Sequence, residues 1–247
     1  MLKLFDCNCM IGRCSDIGTA LQTANDLLSE MAHHNITKAL VSHTFFWDFE
    51  IAFGNEMLLR EVEGKPNLYP VITVCPWATN REMWSDETMA ILRKQAFGIR
   101  LFPVRHHFDL SEANLGVVLQ FGSTARLPVL IDYDQVNNFG GFKALLERYP
   151  DVPFILAKVG LEKNRYLYPL LSKHKNLHIE ISLYREYRGV ESLVEHFGPD
   201  QVLFGSCLPF LDAGASAFRV VYASLTQEDK TKLAYQNMER LIANVRS

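Results

Sequence analysis

Short apolar runs alternate with longer amphipathic stretches along the whole chain. β-Branched or apolar runs fall at residues 2–6, 38–42, 69–74, 98–102, 128–131, 154–157, 178–181 and 202–204. Continuous runs of this length read as buried parallel strands rather than half-exposed ones. Between them, Leu21, Ala24, Leu27, Leu28 and Met31 recur at helical spacing, as do Met89, Leu92 and Ala96. Phe142, Leu145 and Leu146 form a third stripe, ended by Tyr149-Pro150. Successive strand starts lie about 24 to 36 residues apart, the size of one βα unit.

Eight such units in 247 residues predict a single (β/α)8 TIM barrel spanning 1–247. A doubly wound open sheet is the alternative. It usually has fewer strands, and the first turn, Met10-Ile11-Gly12-Arg13, lacks the G-x-G-x-x-G phosphate loop of dinucleotide binders. No Pro-, Gly- or Ser-rich linker, charge block or low-complexity stretch divides the chain. In such barrels chemistry collects at the C-terminal strand ends. That directs attention to residues 6–10, His43, residues 75–77, Arg100, residues 132–134, Lys158, residues 180–182 and Ser206-Cys207.

Composition narrows the function classes. The chain is 48% hydrophobic and 21% charged, with a formal charge of −3. It has no basic field for nucleic acid or anionic membranes, and no apolar run nears the ~20 residues of a transmembrane helix. The opening residues turn polar too early for a signal peptide and read as a first strand. The five cysteines, Cys7, Cys9, Cys14, Cys75 and Cys207, are irregularly spaced and odd in number. They are expected to be free thiols of a cytoplasmic protein. Cys7 and Cys9, out of phase with Asn8 along the strand, are expected to face the surrounding helices.

The motifs carry a resemblance. FDCNCMIG (5–12) resembles the first-strand motif of the amidohydrolase superfamily, where an Asp-x-His-x-His run supplies two metal-binding imidazoles. DQVLFGSCLPF (200–210) resembles the eighth-strand signature of the amidohydrolase-2 branch, whose Phe-Gly-Ser-Asp-x-Pro-type turn carries the catalytic aspartate. GIRLFP, LPVLIDYD and FILAKVG resemble that branch's fourth, fifth and sixth strands, and TQEDKTKLAYQNMERLI its closing helices, including Asn237. The resemblance implies a metal-dependent hydrolase fold that acts by hydrolysis or decarboxylation on a small, anionic metabolite. It also implies a homodimer.

Position by position, the metal-ligand sites of that family fall on Asn8, Met10, Asp132, Lys158 and Cys207. Zinc takes imidazole, thiolate or carboxylate. Only Asp132 and Cys207 qualify, so no metal or other cofactor is expected. Lys158 is expected to supply the positive charge instead, paired with Asp132 on the adjacent strand. The pair is either structural, an electrophilic clamp, or, if Lys158 loses its proton, a Schiff-base nucleophile. Cys207 beside a cation is a possible nucleophile or plain packing. Asn8, His43, Trp77 and Arg100 are the expected substrate-binding residues, with Arg105 and His106 adding positive charge. The aromatic run from His43 to Phe49 is either a stacking surface or a lid packed on its own core. A catalytically inactive ligand-binding barrel is the rival reading.

Overall fold

The computed structural model describes residues 2–14, 21–48, 50–78, 81–82 and 85–246, with backbone alone at 47–48, 77–78, 81–82 and 87. Eight parallel strands form one sheet: β1 (Leu4–Ile11), β2 (Ile36–His43), β3 (Leu68–Thr73), β4 (Gly98–Leu101), β5 (Val129–Asp132), β6 (Phe154–Ala157), β7 (Leu177–Glu180) and β8 (Val202–Leu203). Each neighbours the next in sequence, the order a (β/α)8 barrel requires. The seam between β8 and β1 is bridged by Cys7 N–H to Phe204 O (3.0 Å) and Met10 N–H to Leu208 O (2.8 Å).

Helices intervene between strands: α1 (Ala24–His33), α2 (Ile51–Val62), α3 (Asp86–Lys94), α4 (Glu112–Ala125), α5 (Phe139–Arg148), α6 (Asn164–Lys173) and α7 (Gly189–Phe197), with α8 (Ala213–Val221) after β8. Their starts are set locally. Thr23 and Asp26 form a reciprocal capping box on α1, and Ser85, Asn138 and Asp212 cap α3, α5 and α8 through their side chains. Among the described residues no helix is long and apolar enough to cross a membrane.

Two apolar layers follow from strand alternation. Outward residues such as Ile99, Leu101, Ile131, Leu156 and Ile179 pack under the helices. Inward residues Phe5, Leu40, Val71, Leu130, Ile155 and Leu203 fill the barrel below the site, closed beneath by Met238 and Leu241 of the C-terminal helix. Cys9 lies in the outer layer, as its phase predicts, but Cys7 sits in the inner one. The register of β1 against β2 shifts between Asp6 and Cys9. That irregularity resets the alternation, so the expectation for Cys7 is corrected. β1 also runs on to Ile11, past the polar Asp6 and Asn8 where the apolar run breaks, because those side chains are buried against partners inside the barrel.

Candidate active site

Four residues from four strand ends meet in one hydrogen-bonded chain. Arg100, in β4, is fully buried and donates through Nη1 to Asn8 Oδ1 (2.8 Å) and through Nη2 to Asp132 Oδ1. Asp132 closes β5. Its other oxygen, Oδ2, meets Lys158 Nζ at 2.9 Å. Lys158 follows β6 directly, in a left-handed backbone conformation at φ 54°, which is uncommon for a lysine. The Asp132 side chain is 2% exposed and that of Lys158 16%, so Lys158 is the less enclosed member of the pair.

Electrostatics follow from burial. Desolvation works to raise the Asp132 pKa, yet Arg100 and Lys158 together outweigh it and hold the carboxyl below its ordinary value. Desolvation likewise works to lower Lys158, but the neighbouring Asp132 holds its pKa above the ordinary lysine value. Lys158 is therefore an ammonium at neutral pH, not the free amine a Schiff-base nucleophile needs. Cys207, also left-handed at φ 61°, is buried, and burial pushes its thiol up to about 12 in spite of Lys158. It is not the activated thiolate that proximity to a cation suggested.

A second set of groups, within the strand-end stretches 6–10 and 180–182 but given no role from the sequence, lies beside them. Glu180 ends β7 and accepts from Asn8 Nδ2 (3.1 Å), the Lys158 backbone N–H (3.1 Å) and Ser182 Oγ (2.9 Å) on Oε2, and from the Ser182 backbone N–H on Oε1. Asp6 accepts from the backbone N–H groups of Asn8 (2.9 Å) and Ser206 (3.0 Å), tying β1 to the turn after β8. Burial raises both carboxyls. Their only sequence signal was a charged residue at a barrel strand, where apolar residues are the rule.

The remaining expected residues lie apart. His43 ends β2 and is buried. Its Nδ1 accepts from Phe45 N–H (3.2 Å), its ring meets Phe45 edge-on, and desolvation lowers its pKa to about 4. It is a neutral imidazole engaged with its own loop. Trp77 belongs to a two-residue hairpin arm, Trp77–Ala78 against Arg81–Glu82; its side chain lies outside the described residues, as do those of Trp47, Asp48 and Phe49. Phe46 stacks on Phe102 at 4.0 Å and clusters with Met10, Ile51 and Cys75. This part of the aromatic run packs as core over the charged groups. Phe210 lies under Lys158, its ring centre 4.9 Å from Nζ. Arg105 is exposed and gives its backbone N–H to Gln135 (3.0 Å), and His106 stands near the Phe46 carbonyl. A cleft of about 740 Å³ lies on the barrel flank between α2 and α3, away from these charges; the convergence of strand ends, not the cleft, marks the site.

The donor set does not fit a divalent cation. Both oxygens of Asp132 are taken by cationic nitrogens, Lys158 brings a positive charge to the centre, and Cys207 is a protonated thiol. Among the described residues no three His, Cys, Asp or Glu side chains converge as metal ligands do.

A (β/α)8 barrel with polar groups gathered at the C-terminal ends of strands one, four, five, six and seven has the layout of a barrel enzyme. The family model for amidohydrolases, of the amidohydrolase-2 type, matches residues 43–242, and the chain belongs to that family. Solved structures agree in fold. An uncharacterized TIM-barrel protein from Bordetella bronchiseptica superposes with a TM-score of 0.78 at 15% identity, over 98% of this chain and 99% of that one. 5-Carboxyvanillate decarboxylase from Sphingomonas paucimobilis gives 0.75 at 14%, over 100% of both chains. A probable 2-pyrone-4,6-dicarboxylic acid hydrolase from Acinetobacter baumannii, with citric acid bound, gives 0.70 at 13%, over 98% and 100%. A search of curated proteins found no match.

Proposed function

We propose that the barrel mouth takes a small carboxylate-bearing metabolite on the Lys158 ammonium and hydrolyses or decarboxylates it without a resident divalent metal. The observation that carries this reading is the Asp132–Lys158 pair at the strand ends: a cation fixed at 2.9 Å from its counter-ion, on the less enclosed side chain of the two. An ammonium held this way offers preorganised positive charge to a substrate carboxylate, or to negative charge that develops during reaction. Arg100 holds the other Asp132 oxygen and adds positive charge behind it. Asn8 spans Arg100 and Glu180 and keeps that arrangement in one orientation.

Roles follow from availability. Asp132 has neither oxygen free and a depressed pKa, so it orients Lys158 rather than taking a proton. The fold relatives named above include a decarboxylase of a carboxylated aromatic and a probable hydrolase of a dicarboxylic acid. Both names carry a carboxylate, the group this mouth suits.

A second reading, a binding barrel without turnover, is favoured by one feature. Met10, Phe46 and Phe102 form one apolar cluster, with the Phe102 ring 5.1 Å from the Arg100 guanidinium, and neither His43 nor Cys207 is activated. One experiment separates the two. Protein prepared with and without chelator is analysed for metal and assayed for turnover and binding against a panel of aromatic and aliphatic carboxylates and lactones, beside Lys158→Met. The proposed activity survives chelation and falls at least a hundredfold in the variant. Binding without turnover selects the second reading. One tightly held zinc per chain, whose removal abolishes turnover, overturns the metal-free assignment.

A further inference from the structure

Glu180 is fully buried yet receives four hydrogen bonds, and they converge from three places: the Asn8 side chain, the Lys158 backbone and Ser182. Asn8 has one donor end and one acceptor end. With Nδ2 given to Glu180, Oδ1 must face outward, and that is the atom Arg100 Nη1 meets at 2.8 Å. A Glu180→Gln side chain offers one acceptor oxygen and an NH2 group to the same four donors, so one of the two contacts that set that orientation is weakened while Arg100 keeps the other. The reversed amide would point an N–H at the guanidinium.

The second arm runs through backbone. Lys158 occupies a left-handed conformation that lysine adopts reluctantly, and its N–H ends on Glu180 Oε2 at 3.1 Å. From that conformation its side chain reaches Asp132. A backbone relaxed to the right-handed region would send the same side chain elsewhere. Space for the carboxylate is provided by Gly205, where an added Cβ would fall 2.4 Å from Glu180 Cγ.

We infer that Glu180 is a positioning residue that fixes both the amide orientation of Asn8 and the backbone from which Lys158 reaches Asp132. Its bearing on binding rests on the function proposed above; its effect on Lys158 does not. The test compares full-length wild type, Glu180→Gln and the milder Ser182→Ala. Lys158 acylation is followed by mass spectrometry against the exposed Lys143 as internal standard, across pH. In Glu180→Gln the Lys158 to Lys143 rate ratio rises about tenfold and the pH midpoint for Lys158 falls toward an ordinary lysine. Ser182→Ala moves both in the same direction by a smaller factor, and it decides the matter if Glu180→Gln does not fold. A folded variant pair with unchanged ratio and midpoint overturns the inference. Benzoate binding by calorimetry is measured alongside and weakens about tenfold in Glu180→Gln. A wild type that binds no carboxylate sinks the functional reading and leaves the acylation comparison to judge Glu180.

Discussion

Asp132 stands between two cations: Arg100 Nη2 on one oxygen and Lys158 Nζ, at 2.9 Å, on the other. The asymmetry lies in access. Arg100 is sealed within the barrel while the Lys158 side chain is 16% exposed, so the function proposed above gives the first cation to the fold and the second to a ligand. Breaking a buried ion pair from one side leaves charge without a partner, which costs about 3–5 kcal/mol. Asp132→Asn orphans both cations at once and is expected to lose about that much in urea unfolding. Lys158→Met leaves Asp132 paired with Arg100 and is expected to lose only about 2 kcal/mol, while removing carboxylate binding altogether. Equal stability losses in the two variants would contradict this division of labour.

Much of the fold was legible because a parallel strand buried on both faces reads as a plain apolar run. All eight strands lie where those runs fall, and Asp132, Arg100, Lys158 and Asn8 converge as the strand ends predicted. What failed was local. The alternation of β1 gave Cys7 the wrong face, since a register shift between Asp6 and Cys9 leaves no mark in residue type. The role of Glu180 was hidden for another reason: Asn8 lies 172 positions away, and a carboxylate whose partners are an amide, a hydroxyl and two backbone N–H groups has no motif. The pKa arguments for Lys158 and Cys207 needed burial and partners, which spacing does not supply. The expectation that the metal positions are substituted rested on the family resemblance alone.

Acid lability is expected from His178. It is buried with Nδ1 unpartnered, and burial lowers its pKa from 6.5 to about 4. Between those values the unfolded chain binds the proton and the folded one does not. Stability therefore rises with pH across the window and is lost as pH falls, at about 1.4 kcal/mol per pH unit for this group. Asp6 and Glu180 act oppositely, because a raised carboxyl binds its proton first in the folded state. A variant comparison isolates the histidine. The stability difference between His178→Leu and wild type, measured by urea unfolding, should be flat above pH 7 and tilt in favour of the variant toward pH 4. A difference independent of pH would show that His178 titrates in the native state as it does in the unfolded chain.

The alkaline limit has a different origin. Because the Lys158 pKa is raised by Asp132, its contribution is complete below the ordinary lysine value of 10.5 and disappears as pH climbs through the folded pKa. Asp132, lowered, contributes above its ordinary 3.8 and loses that contribution as pH falls through its folded pKa. Carboxylate binding at the mouth should accordingly stay constant from neutrality to about pH 10 and weaken only beyond it. Titration calorimetry that shows binding weaken between pH 7 and 9 would mean that Lys158 loses its proton early, and would return the Schiff-base chemistry to consideration.

Glycine at position 205 answers a packing demand rather than a backbone one. A Cβ there would lie 2.4 Å from Glu180 Cγ and 2.7 Å from its Cδ and Oε1, with no flexible chain end to yield. Gly205→Ala is expected to cost about 1–3 kcal/mol as an overpacking change, read as a lowered urea midpoint. Displacement of Glu180 should also raise Lys158 acylation toward the Glu180→Gln level. A variant as stable as wild type, with Lys158 equally protected, would mean that the carboxylate can shift without consequence for either arm.

Cys207 occupies the position where the family's eighth strand carries its aspartate, which makes the thiol an obvious suspect for chemistry. Its surroundings argue otherwise. Burial raises its pKa to about 12, and Glu180 and Asp132 add to the rise, against which Lys158 and Arg100 together are too weak. At pH 8 the thiolate fraction is then roughly one in 10⁴, and the residue is only 2% exposed. Native protein treated with iodoacetamide at pH 8 should leave Cys207 unmodified over hours while denatured protein reacts in minutes. Cys207→Ala should bind carboxylates within about threefold of wild type and keep whatever turnover the wild type has. Rapid native alkylation at this position, blocked by a bound carboxylate, would instead make the sulfur a reacting atom and displace Lys158 from the centre of the mechanism.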